Sequence, residues 1–198
     1  RFTNTVNWAA ILNTSVLIKQ NHKLSLKNTL TVNSEDHTIF RQGVDSINDI
    51  YLKSQFLDFY STRIVNSQLM VEHTFHISES SLKWNWSCSF TNIEKNQPAS
   101  RRLTFTKNLK PENDDDTSFV VRIPTSVDPT SASLFYSKLK ENSFNFNTAV
   151  QIPVFKIKGT QHFLKTGVFY QQKWRQFESR ILGAIRESFL FTPDFLHI

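Results

Sequence analysis

Leu82-Lys83-Trp84-Asn85-Trp86-Ser87-Cys88-Ser89-Phe90-Thr91-Asn92 alternates apolar and polar side chains without a break. A period of two places successive side chains on opposite faces of an extended chain. Leu82, Trp84, Trp86, Cys88 and Phe90 therefore share one face. Lys83, Asn85, Ser87, Ser89 and Thr91 share the other. An α-helix would scatter both sets around its axis, so the stretch reads as a long β-strand with one apolar and one polar side.

The same rhythm runs outward in both directions. Trp8, Ala10, Leu12, Val16 and Ile18 alternate with Asn7, Asn13, Ser15 and Lys19. Leu24, Leu26, Leu30 and Val32 alternate with Lys23, Ser25, Lys27, Thr29 and Thr31. The spacing predicts six long strands, at 5–19, 23–40, 50–76, 82–96, 141–156 and 162–180. Helical spacing competes only over 176–188, through Phe177, Ile181 and Ile185. Tight turns are expected at Gln20-Asn21-His22, at 78–81 and at 156–161, the last with Gly159 to supply a positive φ. Longer links are expected at 42–49 and 97–140. The second is polar, carries four of the six prolines, and has room for a small hairpin of 102–107 against 119–123.

Composition removes other classes. The chain has 198 residues, 23 Lys and Arg against 17 Asp and Glu, a net charge of +6 and a pI near 9.5. That length gives one domain or part of a larger one. Hydrophobic residues make up 39% and charged residues 20%, both under the soluble averages of about 45–50% and about 25%. Asn, Ser, Thr, Gln and 18 Phe fill the difference. One cysteine, Cys88, excludes a disulfide framework and any paired-cysteine metal site. Four scattered glycines leave no phosphate-cradling loop and no nucleophile elbow. No apolar run reaches the ~18 residues of a transmembrane helix.

Long strands joined by turns that alternate short and long are the pattern of a transmembrane β-barrel. Such a strand needs ~9–11 residues to cross, whereas soluble strands average ~5–6. With the tight turns on the periplasmic side, Trp84 and Trp86 form one aromatic girdle. Trp8, Phe144, Phe146 and Tyr170 form the other, about 25 Å away. Lipid would meet Leu12, Val16, Ile18, Leu24, Leu26, Leu30, Leu82, Phe90 and Val168. The lumen would be lined by Lys27, Glu72, Lys83, Asn85, Ser87, Ser89, Asn145, Asn147, Gln151, Lys165 and Gln171.

Ordered matches sharpen this reading. Asn7-Trp8-Ala9-Ala10-Ile11-Leu12-Asn13 is followed by Asn21-His22-Lys23-Leu24-Ser25-Leu26-Lys27-Asn28-Thr29 and Asn33-Ser34-Glu35-Asp36. Then come Ser67-Gln68-Leu69, Glu72-His73, Leu82-Lys83-Trp84-Asn85 and Arg101-Arg102-Leu103. Pro129-Thr130-Ser131-Ala132, Phe135 and Gly167-Val168-Phe169-Tyr170 before Arg175 complete the series. In order and spacing the chain resembles the barrel of TonB-dependent outer-membrane receptors, the type with an N-terminal carboxypeptidase-regulatory-like domain and a plug. The resemblance implies a bacterial outer-membrane barrel of about 22 strands, of which this chain is part of one barrel domain. The plug, the TonB box and the barrel-closing strands lie outside it, consistent with a first residue of Arg1. It further implies energised nutrient uptake, contact with lipid, plug and TonB complex, and room for a lipoprotein lid, with residues 97–140 as an extracellular ligand-capture loop. No enzymatic chemistry, cofactor, metal or nucleic acid is implied.

Candidate ligand-binding residues are Arg101 and Arg102, which carry the bidentate donors that clamp anions, the loop carboxylates Asp114, Asp115 and Asp116, and Lys165 in the lumen. The acidic run has oxygen donors for Ca²⁺ but lacks an EF-hand spacing. His73 and His76, three apart on a strand, point to opposite faces and do not converge on a metal. Cys88 reads as a small hydrophobe. Two other classes compete. A jelly-roll capsid-like subunit would explain size, strands and basic charge. A single-strand nucleic-acid binder would use Trp84 and Trp86 as a stacking platform.

Overall fold

The computed structural model describes residues 1–77, 80–109, 118–126, 131–157 and 159–186. They form one antiparallel sheet and no helix. Its strands are β1 (Phe2–Ile18), β2 (His22–Asp45), β3 (Ile50–Ile77), β4 (Ser80–Asn108), β5 (Val120–Val121), β6 (Ala132–Ile157) and β7 (Thr160–Gly183). The order is β1-β2-β3-β4-β6-β7, with β5 paired to β4. Each long strand lies beside its chain neighbour. Such a meander lacks the Greek-key crossing on which a jelly roll depends. β1 and β7 do not pair with each other, so the sheet has two open edges.

The strands are long. β3 has 28 residues and β4 has 29, which at ~3.3 Å per residue is roughly 90–95 Å. Register keeps them in phase. Leu24 pairs with Val71, Val71 with Trp86, and Trp86 with Thr148. The turn at 19–21 and the one at Gly159 sit at one end, as do the facing ends of β3 and β4, while 78 and 79 of the expected 78–81 turn lie outside the described residues. Lys19 and Gln20 carry positive φ in the first, which spans 19–21, one residue earlier than the sequence suggests. Gly159, at φ +83, turns the β6–β7 hairpin as expected.

At the opposite end the sequence reading needs correction. The link expected over 42–49 shrinks to 46–49, because β2 runs on to Asp45. The Asp45 side chain caps this turn, accepting from the Ile47 and Asn48 amides at 3.1 and 3.2 Å. Hydrogen bonds from Asn48 hold its carboxyl below the ordinary carboxylate range. The loop expected over 97–140 shrinks more. β4 extends to Asn108 and β6 begins at Ala132. The hairpin proposed inside it survives as two pairs, Phe105 with Val121 and Thr106 with Val120. Helical spacing over 176–188 does not win either. β7 stays extended to Gly183, because Ser133 to Leu139 on β6 offer it a ladder.

Proline explains how β4 continues. Between Gln97 and Ser100 this strand holds one more residue than either neighbour, so Pro98 sits in a bulge. Proline has no amide hydrogen for the ladder, and a bulge removes the need for one. Pro153 is accommodated in the same way, in the register shift between Pro153 and Phe155 of β6. The Pro98 bulge also inverts parity. Even-numbered residues of β4 share the apolar face below it, and odd-numbered residues do so above it.

Among the described residues no second layer covers the sheet. Among the described residues only Val71 and Ala132 are buried hydrophobics, and no side chain is fully buried. Leu12, Val168 and Phe169 are 65%, 66% and 64% exposed. A sheet this apolar buries one face against something else.

Candidate functional site: two faces of one sheet

The register sorts every side chain. One row across the sheet reads Thr14, Leu26, Leu69, Cys88, Phe146 and Tyr170. The next towards the tight turns reads Val16, Leu24, Val71, Trp86, Thr148 and Val168. The opposite face reads Asn13, Lys27, Gln68, Ser89, Asn145 and Gln171. All nine side chains expected on the apolar face lie there, and all eleven expected on the polar face lie on that one.

On the apolar face the greasy run is bounded. It covers 24–32 of β2, 82–90 of β4 and 144–152 of β6, nine residues in each. Polar side chains inside this belt satisfy one another. Ser67 Oγ donates to Asn28 Oδ1 at 2.7 Å, and Trp84 Nε1 donates to Thr148 Oγ1 at 3.0 Å. Trp86 Nε1 donates to His73 Nε2 at 3.3 Å, so His73 carries its proton on Nδ1. That nitrogen lies 2.7 Å from His22 Nδ1. Beyond the run on β4 and β6 the same face turns polar, in rows where β2 still carries Leu30 and Val32. Asn92 Nδ2 donates to Asn142 Oδ1 at 2.7 Å, Ser34 donates to Ser61 at 3.0 Å, and Arg63 pairs with Glu94 at 2.9 Å.

The polar face is a hydrogen-bonded mosaic. Gln171 Nε2 donates to Asn145 Oδ1 at 2.8 Å, and Asn145 Nδ2 donates to Ser89 Oγ at 3.2 Å. Tyr60 donates its hydroxyl to Glu35, which also meets His37 Nε2 at 2.8 Å. The bond to Glu35 raises the Tyr60 phenol above its ordinary range. The Lys95 ammonium sits 4.5 Å over the Tyr60 ring. Glu141, buried, accepts from Arg175 Nε at 2.7 Å and faces Lys173 Nζ at 3.8 Å. The Arg175 bond holds its carboxyl below the ordinary range.

The candidate binding residues do not converge. Arg101 and Arg102 are consecutive on β4, so their side chains leave opposite faces. They cannot clamp one anion together, which corrects that expectation. Arg101 projects from the apolar face. Arg102 projects from the polar face, with its guanidinium 4.9 Å over the Phe56 ring. Lys165 is on the same polar face but near the tight turns. Arg102 lies in the row of Ser133 and Gly183, 18 residues further along β7, or about 60 Å. Asp114, Asp115 and Asp116 lie outside the described residues.

The aromatic girdles are redrawn in part. Trp84 and Trp86 lie in adjacent rows near the tight turns. Phe146 lies only one row from Trp86, in the middle of the belt, while Phe144 is a row further on beside Phe90. Trp8 pairs with Val32 and Tyr170 with Phe146. Sequence reasoning missed Trp174, half exposed on the apolar face opposite Asn142. Its signal was present, since it stands four residues past Tyr170 and so shares its face. His22 was missed as a partner of His73, because 51 residues separate them in sequence. His76 faces away from His73, as expected, and no group of three or more metal-binding side chains occurs among the described residues.

No family model matches the sequence, and no curated protein matches it.

Proposed function

We propose that this chain forms part of the wall of an outer-membrane β-barrel, of the kind found in TonB-dependent receptors that import nutrients. One observation carries the proposal. One face carries a bounded apolar run on β2, β4 and β6, in step between β4 and β6 and offset by four residues on β2, with a polar face behind it. Its nine-residue depth suits the ~9–11 residues with which a tilted strand crosses a bilayer. The internal pairing of Asn28 with Ser67 and of Thr148 with Trp84 suits a medium without water to bond them. Strands of 24–29 residues then stand far beyond the bilayer on the side away from the tight turns.

This reading requires partners for the two open edges. Lipid does not tolerate unpaired backbone, so further strands must complete the wall at β1 and β7. In a closed wall the polar face lines the lumen, where Lys27, Glu72, Asn85 and Gln171 meet water and a plug. The role is passage and binding, without bond-making chemistry. The TonB coupling itself rests on the motif series alone.

The test is sided labelling of the full-length protein in a Cys88→Ser background. Cysteines at Gln20 and at Ile47 belong to turns at opposite ends of the sheet. The expected result is that an impermeant maleimide labels Ile47→Cys on intact cells and labels Gln20→Cys only after the outer membrane is opened. Labelling of both on intact cells, or recovery of the protein as a soluble species, overturns the proposal.

A further inference from the structure

On the polar face, far above the belt, two arginines open into one recess. Arg41 on β2 pairs with Ser54 on β3, and Arg102 on β4 pairs with Phe56. Two interstrand spacings and one two-residue step separate their backbones, about 12 Å. Both side chains reach one recess. Arg102 leans across β3 over the Phe56 ring at 4.9 Å, and Ile39, Arg41, Ser54, Phe56 and Arg102 line a common recess of about 450 Å³. A second recess continues from Phe56 and Arg102 to Phe135 and Ile181.

The charge of these two groups is unlike that of their neighbours. Lys173 and Arg175 meet Glu141, and Arg63 meets Glu94. Among the described residues neither Arg41 nor Arg102 has a carboxylate within 4 Å. The acidic groups nearest in register are engaged elsewhere. Asp58 accepts from Gln97 Nε2 at 2.7 Å, and Asp45 accepts from Asn48 Nδ2 at 2.7 Å. Arginine keeps its charge at any working pH, and its planar fork suits carboxylate and phosphate oxygens. Beside the two forks lies an apolar floor of Ile39, Phe56, Phe135 and Ile181.

We infer that Arg41 and Arg102 form a binding site for a small organic anion with a flat apolar body, its acid group between the guanidiniums and its body on Phe56 towards Phe135. The site is built from one face of the sheet and does not rest on the membrane reading.

The probe is 2-naphthoate, titrated calorimetrically into the purified full-length protein, with 2-naphthalenemethanol as its uncharged counterpart. The expected result is saturable naphthoate binding that weakens with salt and exceeds binding of the alcohol by tenfold or more. Arg102→Gln and Arg41→Gln each weaken it by about tenfold or more, the scale of a lost charge-assisted hydrogen bond. Arg102→Lys keeps part of the affinity, and Arg101→Gln, on the other face, leaves it unchanged. Equal binding of acid and alcohol overturns the inference. So does an absence of naphthoate binding, or affinity unmoved by either glutamine variant in protein that retains its wild-type melting temperature.

Discussion

The tight-turn half and the far half of the sheet share strands, register and hydrogen-bond pattern, yet they follow different rules. Near the tight turns one face is apolar from Leu82 to Phe90 and, with Thr148 bonded to Trp84, from Phe144 to Ile152. In the far half that face mixes Arg63, Glu94 and Arg101 with exposed Phe40 and Val44. Opposite the belt the polar face bonds through neutral amides and hydroxyls such as Asn145, Ser89 and Gln171, with Lys27, Glu72, Lys83 and Lys165 set among them. In the far half it carries Glu35, Tyr60, Lys95, Glu141 and Arg175 in charged contacts. The backbone geometry is common to both halves, so the side chains make the difference. A belt suits hydrocarbon on one side, while a mixed surface suits water on both.

The comparison breaks most sharply at Leu26. If the belt faces lipid, Leu26→Arg costs ~2–4 kcal/mol near the midplane, and Lys27→Ala next to it costs little. Folding titrations in vesicles check this, and equal mild effects would remove the lipid-facing assignment. A smaller effect is expected at Gly167. A Cβ built there would lie 2.6 Å from the Thr148 carbonyl oxygen and 3.1 Å from the Ala149 Cβ. The β6–β7 pair would have to part locally, so Gly167→Ala is expected to destabilise by ~1–3 kcal/mol. A denaturation midpoint matching wild type would show that the two strands adjust freely.

Acid sharpens the comparison from the other half. Arg175 holds the folded Glu141 carboxyl below its free value, about 4.3 for glutamate. The stabilisation is therefore present above that value and lost as pH falls through the folded one. Glu141→Gln is expected to melt lower than wild type at pH 6, with the gap closing below about pH 4. A gap independent of pH would assign the loss to packing. The smallest effect belongs to Glu94→Gln. Its pair with Arg63 is solvent-exposed on the arginine side, and such pairs contribute ~0–1 kcal/mol. Thermal melts in low and high salt check it.

The belt half was legible because alternation is a local property. Trp84, Asn85 and Trp86 declare their faces wherever their partners lie, and register preserved the assignment on all six strands. The far half was misread at Pro98. A proline among polar residues reads as a loop when the strand is taken alone, and a bulge becomes visible only when both neighbours are in place. That one extra residue also decided which way Arg101 and Arg102 point. Sequence makes Arg101 and Arg102 neighbours, whereas Arg102 shares a recess with Arg41, 61 positions earlier in the chain.

By itself the sequence determined the all-β class, the lengths of the strands near their tight turns, and the division into apolar and polar faces. These follow from a period of two, which each strand carries alone. Tertiary structure alone decided where the bulges fall, which strands continue through prolines, which distant side chains meet, such as His22 with His73 and Glu35 with Tyr60, and which line one recess, as Arg41 and Arg102 do. Those depend on register between strands, and register is settled by the whole ladder at once, since a slip of one residue would turn every side chain to the wrong face.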